Sequence, residues 1–252
     1  MTKVPTIGIA GVTIPVAIDC INKINQKAHG FFEHHHHHPN IILHQPNFGP
    51  THQAQNHGQW DIVEDRLIES IENLAKGGAD FVIIPANTVH KVIDNIKKRA
   101  SIPVLSMLDM VAAECHRHDL KKVGILGTRW TMNDHLYQNQ LRLHHIEEII
   151  PSQEDQDIVQ IAIFEELIPT GKVKSKTLYA LLAVKERLKA RGCDGVALAC
   201  TELPLVLNRE NCGILTLDTT SILAEGAVRH ALTLMQPPEN LNNKSEFLKS
   251  NL

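Results

Sequence analysis

The sequence has few aromatic side chains and almost no net charge. Phenylalanine, tyrosine and tryptophan together make up 4% of the 252 residues, and the formal net charge at pH 7 is −3. A nearly neutral chain gives no electrostatic reason to bind nucleic acid or a membrane surface. We therefore expect neither as a partner, and a small molecule is the expected ligand.

The sequence also lacks a long apolar run and a metal-type cysteine pattern. No apolar stretch approaches the ~20 residues of a transmembrane helix, and the first residues lead directly into a predicted strand at Thr6 without a signal-peptide pattern. The five cysteines are an odd number without metal-ligand spacing, which is typical of reduced thiols in a cytoplasm. We therefore expect a cytoplasmic protein.

What is present is a regular alternation of strand and helix patterns. Hydrophobic residues make up 43% of the chain and charged residues 21%, as in ordinary globular proteins. The helical patterns between the apolar runs predict an α/β fold with parallel sheets. The runs that predict buried strands are Thr6–Ala10, Ile41–His44, Phe81–Ile84, Ile102–Met107, Lys122–Leu126, Ile149–Pro151, Gly195–Ala199 and Gly213–Leu217.

One stretch carries the strongest chemical signal. The apolar run Gly195–Ala199 is followed directly by Cys200, Thr201 and Glu202. Open α/β sheets bind ligands at the carboxyl ends of their strands, so this thiol lies where a ligand is expected. Thr201 and Glu202 suit the first turn of a helix, whose free N–H groups would favour a thiolate. Taken alone, however, a cysteine after an apolar run is more often a small core residue.

The same stretch is echoed earlier in the chain. Residues 78–88 match residues 192–202 at a constant offset of 114, with Gly, Asp and Val recurring in register and Ala86 opposite Cys200. The two halves also begin alike, since residues 7–11 resemble residues 123–127. Two related halves would bring two equivalent strand ends to one shared cleft.

Three loops offer polar groups that could face this cleft. The tight loop at Gly11 and Thr13 could present backbone N–H groups to a carboxylate, although its glycine spacing is not a dinucleotide fingerprint. Gln45 begins a loop of turn residues that either faces a ligand or is only a turn. Arg129 either pairs with a substrate carboxylate or is an ordinary surface arginine. The run His34–His38 is expected to be an exposed loop with incidental metal affinity.

Together these motifs resemble a known family. Asn87-Thr88 and His90 follow one central strand, Cys200-Thr201-Glu202 follow the other, and the Leu126–Met132 loop and Asp218-Thr219-Thr220 complete the pattern. In order and spacing they resemble the cofactor-independent aspartate/glutamate racemase superfamily, over about Thr6 to Leu234. The resemblance implies two pseudo-symmetric α/β lobes, each a mainly parallel sheet flanked by helices, with the active site between them. It implies no pyridoxal phosphate, no metal, and a homodimer.

The resemblance also assigns roles by position. We expect residues 1–110 with 219–252 to form the first lobe and residues 111–218 the second. Cys200 matches the acid/base of the second lobe, and Glu202 is expected to orient a neighbour. His90 is expected to be a structural contact. The expected substrate-binding residues are Gly11, Thr13, Gln45, Asn87, Thr88, Arg129, Thr201 and Glu202.

Two positions depart from the family pattern. Ala86 stands where relatives carry a cysteine or a threonine, and Leu223 stands where many carry a histidine. Alanine cannot carry a proton, so four interpretations of Ala86 stay open. Another group or a water serves that face; only one face is catalysed, as in the decarboxylase branch; the residue is an inactivating substitution; or the chain binds ligand without turning it over.

Three functions follow, in order of preference. The first is an amino-acid racemase or epimerase, because the motif of the second lobe is complete and only one residue of the acid/base pair is missing. Inverting a stereocentre needs a base on one face and an acid on the other. The second is a single-cysteine lyase or isomerase of a small carboxylic acid, and the third is a silent ligand-binding relative. Arg129 and Lys91 are the few positive groups expected near the cleft, so acidic and neutral amino acids both remain open as substrates.

Overall fold

The computed structural model of the chain describes residues 4–32 and 36–235. It contains two parallel sheets of four strands each, with strand orders β2-β1-β3-β4 and β6-β5-β7-β8. Each sheet thus has the same topology, with the first strand of its half in second place. The strands are β1 (Thr6–Ala10), β2 (Asn40–His44), β3 (Phe81–Ile83), β4 (Val104–Leu105), β5 (Lys122–Gly127), β6 (Glu147–Ile149), β7 (Gly195–Ala199) and β8 (Leu215–Asp218). The predicted α/β fold is confirmed.

Helices cover the faces of both sheets, which is why the central strands are apolar throughout. Strands β1, β3 and β7 are buried along their whole length. The helices are α1 (Ile14–Ala28), α2 (Phe48–Asn56), α3 (Trp60–Lys76), α4 (Ile93–Arg99), α5 (Met107–Arg117), α6 (Arg129–Asn133), α7 (Gln138–Leu143), α8 (Gln153–Ile161), α9 (Ile168–Thr170), α10 (Ser175–Ala190), α11 (Arg209–Cys212) and α12 (Thr219–Met235), with short 3-10 helices at Thr88–Val92 and Leu203–Leu205 and a π-helix at Ala162–Leu167.

The sequence repeat has a structural counterpart at the start of each central strand. Gly78 and Gly192 have φ angles of +92° and +90°, which favour glycine. Two residues later, Asp80 accepts a hydrogen bond at 2.8 Å from the backbone N–H of Thr6, which opens β1. Asp194 accepts one of the same length from Lys121, next to the start of β5. The repeat therefore encodes the same clamp between neighbouring strands in both halves.

Helix α2 is absent from the sequence prediction, which placed a loop of turn residues at 45–50. Asn47 is the reason, because its side chain accepts a hydrogen bond at 3.0 Å from the N–H of Gly49 and caps the helix. Pro50 lies in the first turn, where a helix needs no N–H donor. The residues that suggest a turn are here the residues that begin a helix.

Two other predicted helices are interrupted. The predicted helix at 133–143 is broken by His135, whose φ of +49° lies in the left-handed region, and its first part begins already at Arg129. The predicted helix at 153–171 is helical almost throughout, but Ala162–Leu167 forms a π-helix. A π turn changes the spacing of the residues that share a face, which a search for 3.6-residue periodicity does not detect.

Helix α12 returns to the first sheet and packs against α1 and α5. Leu223 on α12 is fully buried in the core. The lobe boundaries inferred from the sequence stay a prediction. Within residues 4–32 and 36–235, no helix is long and apolar enough to cross a bilayer. In the histidine run, His36–His38 are exposed, whereas His34 and His35 lie outside the described residues, as do residues 236–252.

Candidate active site

The ends of the two central strands meet at one cavity. Ala86 lies three residues after β3, and Cys200 directly follows β7. Both residues line a cavity of about 180 Å³. This volume is far above the ~10–15 Å³ that one water molecule needs. The predicted site residues Thr13, Asn87, Thr88, Thr201 and Glu202 line the same cavity. The topology therefore brings the two matching strand ends of the sequence repeat to one cavity.

The thiol of Cys200 is buried and hydrogen-bonded to a carboxylate. Its Sγ–H donates to Glu202 Oε2 at 3.0 Å, and the hydroxyl of Thr201 donates to the same oxygen at 2.7 Å. Burial, followed by the charge of Glu202 and this hydrogen bond, raises the pKa of Cys200 well above its ordinary value. With these surroundings the sulfur is a neutral thiol that points its proton at Glu202.

The sequence expectation that a helix N-terminus would favour a thiolate is wrong. The segment after Cys200 is a turn followed by a 3-10 helix of three residues, Leu203–Leu205, which is too short to build a strong helix dipole. The backbone N–H groups of Glu202 and Thr201 do donate to the sulfur and lower its pKa, but burial and the charge of Glu202 outweigh them.

A chain of buried hydrogen bonds fixes Asn87 at the cavity wall. The hydroxyl of Tyr137 donates to Asn87 Oδ1, and Asn87 Nδ2 donates to Thr219 Oγ1 at 3.2 Å. The Thr219 hydroxyl in turn donates to the carbonyl of Leu198 in β7 at 3.1 Å. Burial raises the pKa of Tyr137, which keeps it a neutral donor. Asn87 is therefore held rigidly, with one amide N–H still available to a ligand.

Three threonine hydroxyls cluster beside Asn87. Thr88 Oγ1 lies 3.4 Å from Thr128 Oγ1 and 3.5 Å from Thr131 Oγ1, and the last two are 3.3 Å apart. Thr88 and Thr128 line the cavity. Because hydroxyl groups rotate freely, these two can donate to an anion without moving the backbone.

Three of the predicted substrate-binding residues, Gly11, Gln45 and Arg129, lie outside the cavity lining. Gly11 packs closely against the side chain of Gln45, since a Cβ at this position would lie 2.2 Å from Gln45 Oε1. Gln45 turns inward and donates to the carbonyls of Val12 and Pro46, each at 3.2 Å. The Arg129 guanidinium is half-exposed and paired with Asp157 at 2.7 Å.

His90 also lies outside the lining, as a structural contact. Its Nδ1–H donates to the carbonyl of Ala86 at 2.8 Å, and its Nε2 accepts from the N–H of Met107 at 3.0 Å. Burial lowers the pKa of His90 from 6.5 to about 4, so the ring is neutral. It positions the Ala86 backbone and has no free nitrogen for proton transfer.

Much of the cavity wall was missed by the sequence analysis. Helix α2 contributes His52 and Gln55, and the remaining missed residues are mainly apolar. His52 is, besides Cys200 and Glu202, the one titratable side chain among the described residues that line the cavity. The Asn47 cap before Phe48 is the signal that could have located α2. The large apolar residues of the wall are Phe48, Trp130, Ile163, Phe164 and Ile168.

The protein has two parallel sheets of the same topology, and one pocket lies at their equivalent strand ends. It is therefore a duplicated α/β protein with one shared site. Residues 2–227 match the sequence profile of the family described as Asp/Glu/Hydantoin racemase. The chain belongs to this family, which confirms the resemblance drawn from its motifs.

Individual relatives agree with this assignment. The chain is 28% identical over 168 residues to the broad specificity amino-acid racemase RacX of Bacillus subtilis, covering 67% of this chain and 72% of that protein. A candidate Asp/Glu racemase from Yersinia pestis has a similar crystal structure, with a TM-score of 0.84 and 31% identity over 90% of this chain and 99% of that one. An aspartate racemase homologue from Pyrococcus horikoshii matches with a TM-score of 0.80 and 27% identity, over 91% and 100% of the two chains.

Proposed function

We propose that the protein is a cofactor-independent amino-acid racemase in which Cys200 is the acid/base on one face of the substrate Cα. The observation that carries this proposal is the hydrogen bond from the Cys200 thiol to Glu202, 3.0 Å long, at the edge of the pocket that Ala86 also lines. Family membership supports the same class of reaction.

The pocket suggests a sequence of proton transfers. The substrate carboxylate is held by the hydroxyls of Thr88 and Thr128 and the free N–H of Asn87, which also stabilise the anionic intermediate. Glu202 accepts the thiol proton, and the resulting thiolate removes the α-proton. The intermediate then takes a proton on the opposite face. Since Ala86 has none to give, a water molecule supplies it, and the hydroxide left behind takes up the proton held by Glu202, which restores the starting state. His52, which lines the cavity, is the protein group that could replace this water as the donor.

Hydrogen exchange at Cα tests this proposal directly. Single L- or D-amino acids are incubated with the protein in heavy water, and α-deuterium incorporation and optical rotation are followed together. We expect both to change, and Cys200→Ser to slow both by at least about 100-fold, as the loss of a general acid/base does. An absence of exchange over a broad panel of amino acids would contradict the proposal.

Position 86 provides a second test, because a side chain that carries an acidic proton can be placed there by substitution. We expect Ala86→Cys to raise the rate of inversion by about tenfold or more relative to α-exchange, since a second acid/base then serves the opposite face. Ala86→Val is the matched control, because it adds volume without a proton. If Ala86→Cys and Ala86→Val behave alike, the opposite face is not served from this position.

A single-cysteine lyase is the second candidate, favoured because the cavity is lined by the neutral thiol of Cys200 and by Ala86, which has no proton to give. In a decarboxylation of a malonate-like acid, the C–C bond to the leaving carboxylate breaks, CO₂ departs, and the electron pair left on carbon takes the Cys200 proton. Water then reprotonates the sulfur. This reaction needs one proton donor on one face and predicts CO₂ release with a single product enantiomer, and no racemisation.

The remaining expectations belong to the same proposal. The expected ligand is an amino acid or a small carboxylic acid, and a homodimer in the cytoplasm stays a prediction. Light scattering coupled to size-exclusion chromatography measures the oligomeric state.

A further inference from the structure

The cavity is lined by polar groups and by large apolar side chains. Cys200, Glu202 and the hydroxyls of Thr88 and Thr128 are among the polar groups. Much of the rest of the lining, here called the apolar wall, consists of large apolar and aromatic side chains. These groups suffice for the carboxylate and the ammonium of an amino acid, so the apolar wall is left for the substrate side chain.

The π-helix at Ala162–Leu167 builds much of that wall. Ile163 and Phe164 belong to it, and Ile168 follows it directly; all three line the cavity. A π turn closes its hydrogen bonds over five residues, which brings Ile163 and Ile168 to the same side. Trp130 packs edge-to-face on Phe164, with ring centroids 6.5 Å apart. The wall is therefore a packed apolar surface.

No lysine or arginine lines the cavity within the part of the chain that the structure describes. The cations expected from the sequence are engaged elsewhere. Arg129 pairs with Asp157, and Lys91 Nζ pairs with Asp134 at 2.9 Å and lies 4.5 Å from the centroid of the Trp60 ring. A side-chain carboxylate would enter a pocket whose one carboxylate, Glu202, carries the same charge. His52 is the one side chain of the described lining that could offer a positive charge, and burying a carboxylate beside Glu202 without a lysine or arginine partner is disfavoured.

We propose that this pocket selects amino acids with apolar side chains and discriminates against aspartate and glutamate. The inference rests on the proposed function, because it concerns the substrate of the same site. Each buried methylene contributes about fourfold in kcat/KM, corresponding to about 0.8 kcal/mol. A desolvated carboxylate loses more, so we expect at least about 100-fold preference for the apolar partner of a matched pair.

Two matched substrate pairs measure this preference. Methionine and glutamate have side chains of similar length and differ in the charged end; leucine and aspartate are both branched at Cγ. The readout is the rate of α-deuterium exchange in heavy water for each amino acid. We expect kcat/KM to favour methionine over glutamate and leucine over aspartate. Equal rates, or faster exchange of the acidic partner, would overturn the inference and leave the proposed function intact.

One variant tests whether the π-helix wall is responsible. Phe164→Arg places a cation where the substrate side chain is expected, and we expect it to reduce the methionine-to-glutamate ratio by at least tenfold. Leu143→Arg is the control, because Leu143 is 77% exposed and lies outside the cavity lining. It adds the same charge and should leave the ratio unchanged. If both variants shift the ratio equally, net charge and not this wall sets the preference.

Ligand-induced thermal stabilisation distinguishes failure of the proposed function from failure of the proposed substrate preference. If no amino acid exchanges its α-proton, the proposed function fails, and the melting temperature decides the inference alone. A rise with methionine and leucine but not with glutamate and aspartate then supports an apolar pocket. A rise with the acidic amino acids, or no rise with any of the four, overturns it.

Discussion

At the residue scale, the protonation state of Cys200 depends on a neighbour two positions along the chain. The thiol is 8% exposed and donates to Glu202, whose charge opposes ionisation of the sulfur. A substrate ammonium that approaches Glu202 would offset this charge. The charge of Glu202 thus favours the neutral thiol, and an ammonium group bound beside Glu202 would favour the thiolate.

The charge of Glu202 can be removed without changing the shape of the side chain. We expect Glu202→Gln to lower the pKa of Cys200, because both the repulsive charge and the strong acceptor of the S–H proton are lost. Alkylation of the peptide containing Cys200, followed by mass spectrometry across pH, should then begin at lower pH than in the wild type. Cys115 is the internal control, since burial raises its pKa to about 12 far from this change. An unchanged Cys200 profile would show that burial alone controls the thiol.

The sequence located several residues of the cavity lining but not their protonation state. Cys200, Asn87 and Thr88 follow apolar runs, and the repeat places Ala86 opposite Cys200, so their meeting at one cavity could be predicted. The neutral thiol could not, because it depends on burial and on the direction of the Glu202 side chain. The pairing of Arg129 with Asp157 was equally invisible, since the two are 28 positions apart.

At the element scale, each half begins its central strand with the same device. Gly78 and Gly192 both have φ near +90° and lie two residues before the clamping aspartates Asp80 and Asp194. A Cβ at Gly78 would meet no atom within 4 Å, and one at Gly192 would meet only the Lys122 side chain at 3.6 Å. Space is available at both positions, so only the backbone angle demands glycine.

Alanine substitutions at these two glycines measure the energetic cost of the backbone angle alone. We expect Gly78→Ala and Gly192→Ala each to lower the free energy of unfolding by about 1–2 kcal/mol, the cost of a left-handed conformation for an L-residue. Gly30→Ala is the control, because its φ is not positive and a Cβ there would find only an atom at 3.6 Å. Urea denaturation gives the three values. Strongly unequal losses at Gly78 and Gly192 would contradict the structural equivalence of the two halves.

Strands were predicted better than short helices, for a physical reason. A strand buried on both faces is an uninterrupted apolar run, so β1, β5 and β7 were located almost to the residue. Helix α2 begins with Phe-Gly-Pro, and its capping by Asn47 depends on a side-chain rotamer. The π-helix at Ala162–Leu167 is likewise a matter of hydrogen-bond register, which tertiary packing decides.

At the scale of the whole molecule, one buried histidine couples stability to pH. His90 titrates at about 4 in the folded protein and at its ordinary 6.5 when unfolded. Between these values the unfolded chain binds a proton that the folded chain does not, so stability falls as the pH falls from 6.5 towards 4. The full effect is about 3 kcal/mol, from ~1.4 kcal/mol per pKa unit.

The variant His90→Gln removes this titration while keeping a donor and an acceptor. It should be less stable than the wild type at pH 7, and the difference should shrink by about 2 kcal/mol between pH 6.5 and pH 5, as the wild type alone loses stability. Denaturant titrations at each pH measure it. The variant His29→Asn, at an exposed position, is the control, and its free energy of unfolding should change with pH as that of the wild type does. A constant difference between His90→Gln and the wild type would show that His90 does not titrate in this window.

The buried chain of hydrogen bonds runs from Tyr137 through Asn87 and Thr219 to Leu198 in β7, so it links Asn87 of the first half to residues of the second. These bonds lie away from water, so breaking them to admit a ligand would be costly. A ligand that enters the cavity therefore meets an amide that is already held in place, and ordering Asn87 adds little to the entropy lost on binding.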